Sequence, residues 1–215
     1  VKIATWNVNS IRLRLAALER IIADTGPDVI CLQEVWSDDD TNQADSIAGQ
    51  LGLHAAVSAP AGDGLRLGNA ILSRHPITDT TVHRLPGAEG KRANRTALVA
   101  RIDAPFGELT MVSTHLAYRF DESALRSEQL AEICRIVAGE RGDPEHAFPP
   151  IVCGDLNAVP TSDEIRRMTG ESPPHIDAMV FTDAWAAVGD GPGHTWDSEN
   201  PHLEDTTWPR RRLDY

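Results

Sequence analysis

Apolar and polar positions alternate over the first eight residues, VKIATWNV, and this predicts a strand at the head of the chain. Ile11, Leu15, Leu18 and Ile22 then recur at helical spacing behind Ser10, a residue suited to capping a helix. Gly26, Pro27 and Asp28 break that helix, and the short apolar run Val29, Ile30, Cys31, Leu32 leads into Gln33 and Glu34. The same strand, helix, strand order returns later. Residues 108–114 predict a strand ending on His115, and residues 121–139 carry Leu130, Ile133 and Val137 on one helical face. Ile151, Val152 and Cys153 form another buried run that ends in GDLNAV, residues 154–159.

Shorter elements lie between and after these units. Residues 69–72 predict a strand, and residues 95–103 pair with 108–114 across the turn Ala104, Pro105, Phe106, Gly107. Thr161, Ser162, Asp163 and Glu164 have the spacing of a capping box that opens a short helix, and residues 189–205 read as a long surface loop. Mixed strands with interleaved helices predict an α/β fold of two packed sheets with helices outside. At 215 residues the chain suits one domain with a substantial core. It has no apolar run of membrane-spanning length and no signal-peptide pattern. Val1 in place of Met suggests that an upstream segment was removed; the cytoplasm is the default location.

The polar residues at the predicted strand ends carry the candidate chemistry. In open α/β sheets the carboxyl ends of strands are where sites are built. Glu34 reads as a carboxylate at the rim of the core or as an ordinary surface glutamate. Asn7, between Trp6 and Val8, is either a turn residue satisfied by backbone or a functional carboxamide. His115 ends an apolar strand, where a structural histidine is the plainer alternative. Asp155 and Asn157 alternate across Leu156, so extended backbone would aim both the same way, either to turn the chain or to grip a reacting oxygen. Together, two acids, two carboxamides and a histidine fit phosphoryl transfer. Mg²⁺ needs few carboxylates, which Glu34 can supply, while Asp155 can activate water and Asn157 and His115 can stabilise charge on phosphate. None of the eight histidines forms the HExxH pattern of zinc hydrolysis.

Charge and cysteines narrow this further. A net charge of −12 argues against broad DNA coating but leaves room for a local basic groove. Lys91, Arg92 and Arg95 form one cluster and Arg210, Arg211 and Arg212 another, each readable as solvated loop charge or as phosphate contacts. The three cysteines, Cys31, Cys134 and Cys153, are odd in number, apolar in context and spaced for neither a disulfide framework nor a zinc site. They read as buried thiols in a reducing compartment.

The segments TWNVNSIR, DVICLQEV, GNAILSR, STHL, CGDLN and RRLDY stand in the order found in the endonuclease/exonuclease/phosphatase superfamily, and the chain resembles that superfamily over essentially its whole length. Its exonuclease-III-like, deoxyribonuclease-I-like and sphingomyelinase-like branches share a four-layered α/β sandwich, two mixed sheets flanked by helices. The resemblance implies an Mg²⁺-dependent phosphoesterase, with Mn²⁺ as a substitute. By that resemblance Glu34 is the principal metal ligand, and Asn7 supports both the metal and the substrate phosphate. Asp155 orients or deprotonates the attacking water, and Asn157 and His115 contact the phosphate. Arg95 is a further phosphate contact, and Asp214 orients a C-terminal histidine. The opening KIATWNVNSIRLRL is most like exonuclease III, yet that branch usually lacks the histidine of STHL, so His115 favours a general phosphodiesterase. The family pattern continues past LDY to a Ser-Asp-His motif, which residues 1–215 lack, so the chain is read as a truncated or cropped single domain. The expected partner is a phosphate-ester substrate, DNA among the options, with no protein partner and a monomeric state. An abasic-site DNA endonuclease and a non-catalytic binding module with a decayed site remain open.

Overall fold

Alternation along the strands builds three apolar layers, because successive side chains of a buried strand point to opposite faces. The computed structural model describes residues 1–8, 15–38, 40–58, 66–87, 95–143, 147–199 and 208–215. Its first sheet contains β1 (Ile3–Asn7), β2 (Val29–Ser37), β3 (His54–Ser58) and β4 (Arg66–Ser73), in the order β1-β2-β4-β3. The second contains β5 (Ile77–Arg84), β6 (Thr96–Ala104), β7 (Gly107–His115) and β8 (Ile151–Asp155), in sequence order. Each sheet is mixed. β1 runs parallel to β2 and β7 parallel to β8, and all other pairs are antiparallel. The parallel pairs are joined by helices α1 (Leu15–Thr25) and α3 (Ser123–Glu140), as parallel strands require a crossover.

In β2, Val29 and Cys31 face the other sheet, while Ile30 and Leu32 face the helices. The inter-sheet layer continues through Ile71, Leu98, Ala100, Ile102, Leu109 and Met111. Outside the first sheet, Leu18 and Ile22 of α1 pack with Ile47 of α2 (Gln43–Leu51). Outside the second, Leu130 and Ile133 of α3 pack with Ile165 and Met168 of α4 (Asp163–Thr169). Helix, sheet, sheet and helix therefore form four layers. A last short helix, α5 (Ala184–Val188), lies before the C-terminal segment.

Several sequence expectations change. The strand expected over 29–32 extends to Ser37, and α2, β3, β5 and α5 were not anticipated. β5 is an edge strand with most of its residues exposed, so it lacks an apolar alternation to read. The capping box at 161–164 does not form. Ser162 is the N-cap of α4 without a side-chain capping bond, and Glu164 is drawn away to Arg126 Nε and Ser123 Oγ, both at 2.8 Å. A buried guanidinium is a stronger partner for that carboxylate than a helix N–H. The cap expected at Ser10 and the residues Ile11, Lys91 and Arg92 lie outside the described residues, as does the end of the 189–205 loop. All three cysteines are buried free thiols. Among the described residues no helix is long and apolar enough to cross a membrane.

Candidate active site

Parallel pairing brings the ends of β7 and β8 together, with His115 in register with Asp155. Asn7 ends β1 in the neighbouring sheet. Glu34 arrives differently. Between the pairs Leu32–Ala70 and Val35–Gly68, two residues of β2 oppose the single residue Asn69, so β2 bulges there. Glu34 sits in this bulge at φ 59°, a left-handed conformation that re-aims its side chain. Gln33, its neighbour, is fully buried and reaches Ser113 Oγ across the sheets at 3.4 Å.

The Asn7 carboxamide ties the sheets together. Its Nδ2 donates to Asp155 Oδ2 at 2.9 Å and lies 3.2 Å from Glu34 Oε1. His115 faces the same two carboxylates, Nδ1 at 3.9 Å from Glu34 and Nε2 at 3.7 Å from Asp155. These separations are too long for hydrogen bonds. Burial, reinforced by the Arg95 charge, lowers the imidazole to about 3, so His115 is neutral at pH 7 and neither contact is an ion pair. Arg95 lies close enough to feel Asp155 and Glu34, and its guanidinium is 6.0 Å from the Tyr118 ring centre.

Asp155 and Asn157 answer to different geometry from that expected. β8 ends at Asp155, and Asn157 adopts φ 49° rather than extended backbone. The Asp155 carboxylate closes the turn itself, Oδ1 accepting from Asn157 N at 2.9 Å, while Asn157 Nδ2 donates to Leu116 O at 3.3 Å. Asn tolerates the left-handed region better than most residues. The turn thus positions both side chains beside His115.

On the other side of β8, residues 213–215 pair antiparallel. Gly154 and Tyr215 exchange backbone hydrogen bonds at 3.0 Å, and Asp214 lies opposite Asp155. Asp214 Oδ1 is buried with no hydrogen-bond partner among the described residues. Burial raises Asp214 above the usual carboxylate range, with Thr195 opposing the shift. Asp155 is pushed up to about 7, first by burial and then by the Asp214 charge, against hydrogen bonds from Asn7 and Asn157. The arginine cluster divides three ways. Arg212 is buried in an ion pair with Asp183, Arg210 pairs with Asp197 and Glu199, and Arg211 lies over aromatic rings.

Asn7, Glu34, His115, Asp155, Asn157 and Asp214 therefore meet at one edge of the two sheets, with Arg95 beside them. Among the described residues no group of three or more His, Cys, Asp or Glu side chains is arranged to hold a metal ion. The donor set is nevertheless hard and oxygen-rich. Two carboxylates bridged by a carboxamide, with a third buried carboxylate oxygen unpartnered, suit Mg²⁺, which takes one or two protein carboxylates and completes its shell with water and substrate oxygen.

A model of the Endonuclease/Exonuclease/phosphatase family matches residues 4–215. Among solved structures, an endonuclease/exonuclease/phosphatase from Beutenbergia cavernae is 26% identical, with TM-score 0.57, over 73% of this chain and 47% of that one. This chain thus spans about half the length of that protein. The human Nocturnin catalytic domain with bound sulfate is 21% identical, with TM-score 0.60, over 76% of this chain and 67% of that one. D. rerio TDP2 complexed with single strand DNA product is 20% identical, with TM-score 0.70, over 98% of this chain and 80% of that one.

Proposed function

The chain belongs to the Endonuclease/Exonuclease/phosphatase family, whose members are typically metal-dependent phosphoesterases, and on that premise we propose that it hydrolyses a phosphodiester or phosphomonoester with Mg²⁺, water attacking phosphorus. The observation that carries this reading is the convergence of Asn7, Glu34, His115, Asp155 and Asn157 from both sheets onto one edge.

Glu34, held by Asn7, is the residue to bind the metal, with Asp155 close by. Bound Mg²⁺ would neutralise charge on the phosphate and acidify water. Asp155 takes the proton of the attacking water as oxygen bonds to phosphorus and the ester oxygen leaves. In the metal-free protein burial holds that carboxyl near 7, and the charge of a bound Mg²⁺ would shift it down toward the ionised form that a general base needs. Asn7 and the Asn157 backbone fix its rotamer by holding one oxygen each. Neutral His115 and the Asn157 carboxamide offer N–H groups to phosphate oxygens, and Arg95 supplies a fixed positive charge.

The test is a panel of phosphate esters assayed with Mg²⁺ or Mn²⁺ and again with EDTA. It comprises bis-p-nitrophenyl phosphate, abasic duplex, single-stranded DNA, sphingomyelin, inositol phosphates and nucleotides. Metal-dependent release of product from at least one is expected. No turnover of any ester with either metal would remove the reading.

A further inference from the structure

The two chain segments that flank the site carry exposed aromatic rings that the hydrolytic machinery does not use. Tyr118 and Phe120 follow His115 on the segment leaving β7, and each is 61% exposed. Trp208, 46% exposed, precedes Asp214 on the segment that pairs with β8. A single exposed aromatic needs no explanation. Two of these rings pack together, and each of the three has an arginine against it. Phe120 and Trp208 lie 4.5 Å apart between ring centres, and Arg211 covers both at 5.1 and 5.0 Å. Tyr118 has Arg95 and Arg119 at 6.0 Å. Tyr118 and Phe120 lie three and five residues beyond His115, and Arg95, beside the Tyr118 ring, adds its charge next to Asp155 and Glu34, so this end of the aromatic surface adjoins the site.

We propose that Tyr118, Phe120 and Trp208, with Arg95, Arg119 and Arg211, form a ledge on which bases of an unpaired nucleic-acid strand stack while one of its phosphodiesters lies at the site. The placement of that phosphodiester rests on the phosphoesterase reading; the ledge itself does not. An open ring face accepts any base, and a guanidinium beside it accepts the attached phosphate, the pairing used for unpaired strands. Tyr118 and Phe120 are two residues apart, so their backbones are within about 7 Å, a spacing for neighbouring bases rather than one isolated ring. The charge is local. Three arginines line the rings of a protein whose net charge is −12, which disfavours both an anionic membrane surface and general polyanion coating. A duplex hides its base faces and gains nothing from the rings.

The experiment measures anisotropy of labelled oligo-dT with the 215-residue chain in EDTA, where no turnover intervenes. The competitors are an abasic strand of equal length, which keeps the phosphates and lacks the bases, and a blunt duplex. Oligo-dT should bind about tenfold or more tighter than either. Tyr118→Ala and Trp208→Ala should each weaken oligo-dT by about tenfold, and Tyr118→Phe and Trp208→Phe should keep most of the affinity. Equal binding of the abasic strand, or unchanged affinity in both alanine variants, would overturn the ledge. So would binding to phosphatidylcholine–phosphatidylserine vesicles without binding to oligo-dT. Turnover of bis-p-nitrophenyl phosphate with Mg²⁺ is read separately on the wild type. Turnover without oligo-dT binding removes the ledge and keeps the phosphoesterase. Oligo-dT binding with no ester turned over keeps the ledge and removes the phosphoesterase.

Discussion

Glu34 occupies a backbone conformation, φ 59°, that costs a non-glycine residue about 1–3 kcal/mol, and the surrounding bulge holds it there. Its value is the direction in which it aims a carboxylate. Glu34→Gln keeps the size and the bulge but removes the charge, so calorimetric titration should show Mg²⁺ affinity falling at least tenfold without loss of fold; equal affinities would take Glu34 out of the metal role. Asp155→Asn should lower kcat more than it raises KM, by about 10²–10⁴-fold, and a loss under about tenfold would count against a general base. The pH dependence of the metal-free protein separates Asp155 from His115. Asp155 is raised to about 7, so its stability contribution is complete below about pH 4 and is lost as pH rises to 7. His115 is lowered to about 3, so its contribution is complete above about 6.5 and is lost as pH falls. The two slopes oppose each other between pH 4.5 and 6.5. In EDTA, urea unfolding of Asp155→Asn should gain about 1–3 kcal/mol from pH 4.5 to 6.5, and His115→Gln should lose a similar amount. Wild-type pH dependence in both variants would show that neither buried group titrates as described.

At the scale of elements, β8 is the strand on which the site depends. It lies between β7 and the C-terminal residues 213–215, so its backbone is hydrogen-bonded on both sides. Gly154 is what allows this. Its φ is 149°, and a Cβ there would lie 1.9 Å from Thr114 O, a backbone atom that cannot move without breaking the β7 pairing. Gly154→Ala should therefore cost at least about 3 kcal/mol in urea unfolding, with Mg²⁺ affinity falling as Asp155 is displaced. A near-neutral result would mean that the β7–β8 pair is looser than this register requires. Opposite the bulge, Asn69 plays the matching part in the first sheet. Its Nδ2 donates to Thr96 O at 2.9 Å, and Ser58 and Thr96 share a hydroxyl contact at 3.0 Å, so the bulge is anchored to β6 of the second sheet.

For the whole molecule, the decisive feature is that each sheet supplies half of the site, so the apolar layer between the sheets sets their alignment. Leu98 is fully buried in that layer, and Leu130 is fully buried in the layer beneath α3. Truncating either to Ala should cost about 2–5 kcal/mol. Their effects on activity should differ. At a temperature where both variants are fully folded, Leu98→Ala should lower kcat/KM well beyond Leu130→Ala, because only the first cavity lets Asn7 and Glu34 shift against His115 and Asp155. Equal losses would show that the sheets are aligned by something other than their shared core.

The apolar periodicity of the chain determined β1, α1, β7, α3 and β8, since these elements alternate or repeat strongly enough to declare their faces, and it placed Asn7, His115 and Asp155 at strand ends. The ordered motifs from TWNVNSIR to RRLDY carried the resemblance to the family to which the chain belongs. Local pattern could not show β5, whose exposed edge has no alternation, nor the bulge at Glu34, which exists only because two residues of β2 face one residue of β4. It also assigned Arg212 to the same charge cluster as Arg210 and Arg211, although Arg212 is buried in an ion pair with Asp183 and lies over the Tyr215 ring. The hydrogen bond from Asn7 to Asp155 joins residues 148 positions apart, and burial then raises that carboxyl to about 7. Periodicity reports which face of an element is apolar; which groups meet across two sheets, and how dry they become, is decided only when those faces close on one another.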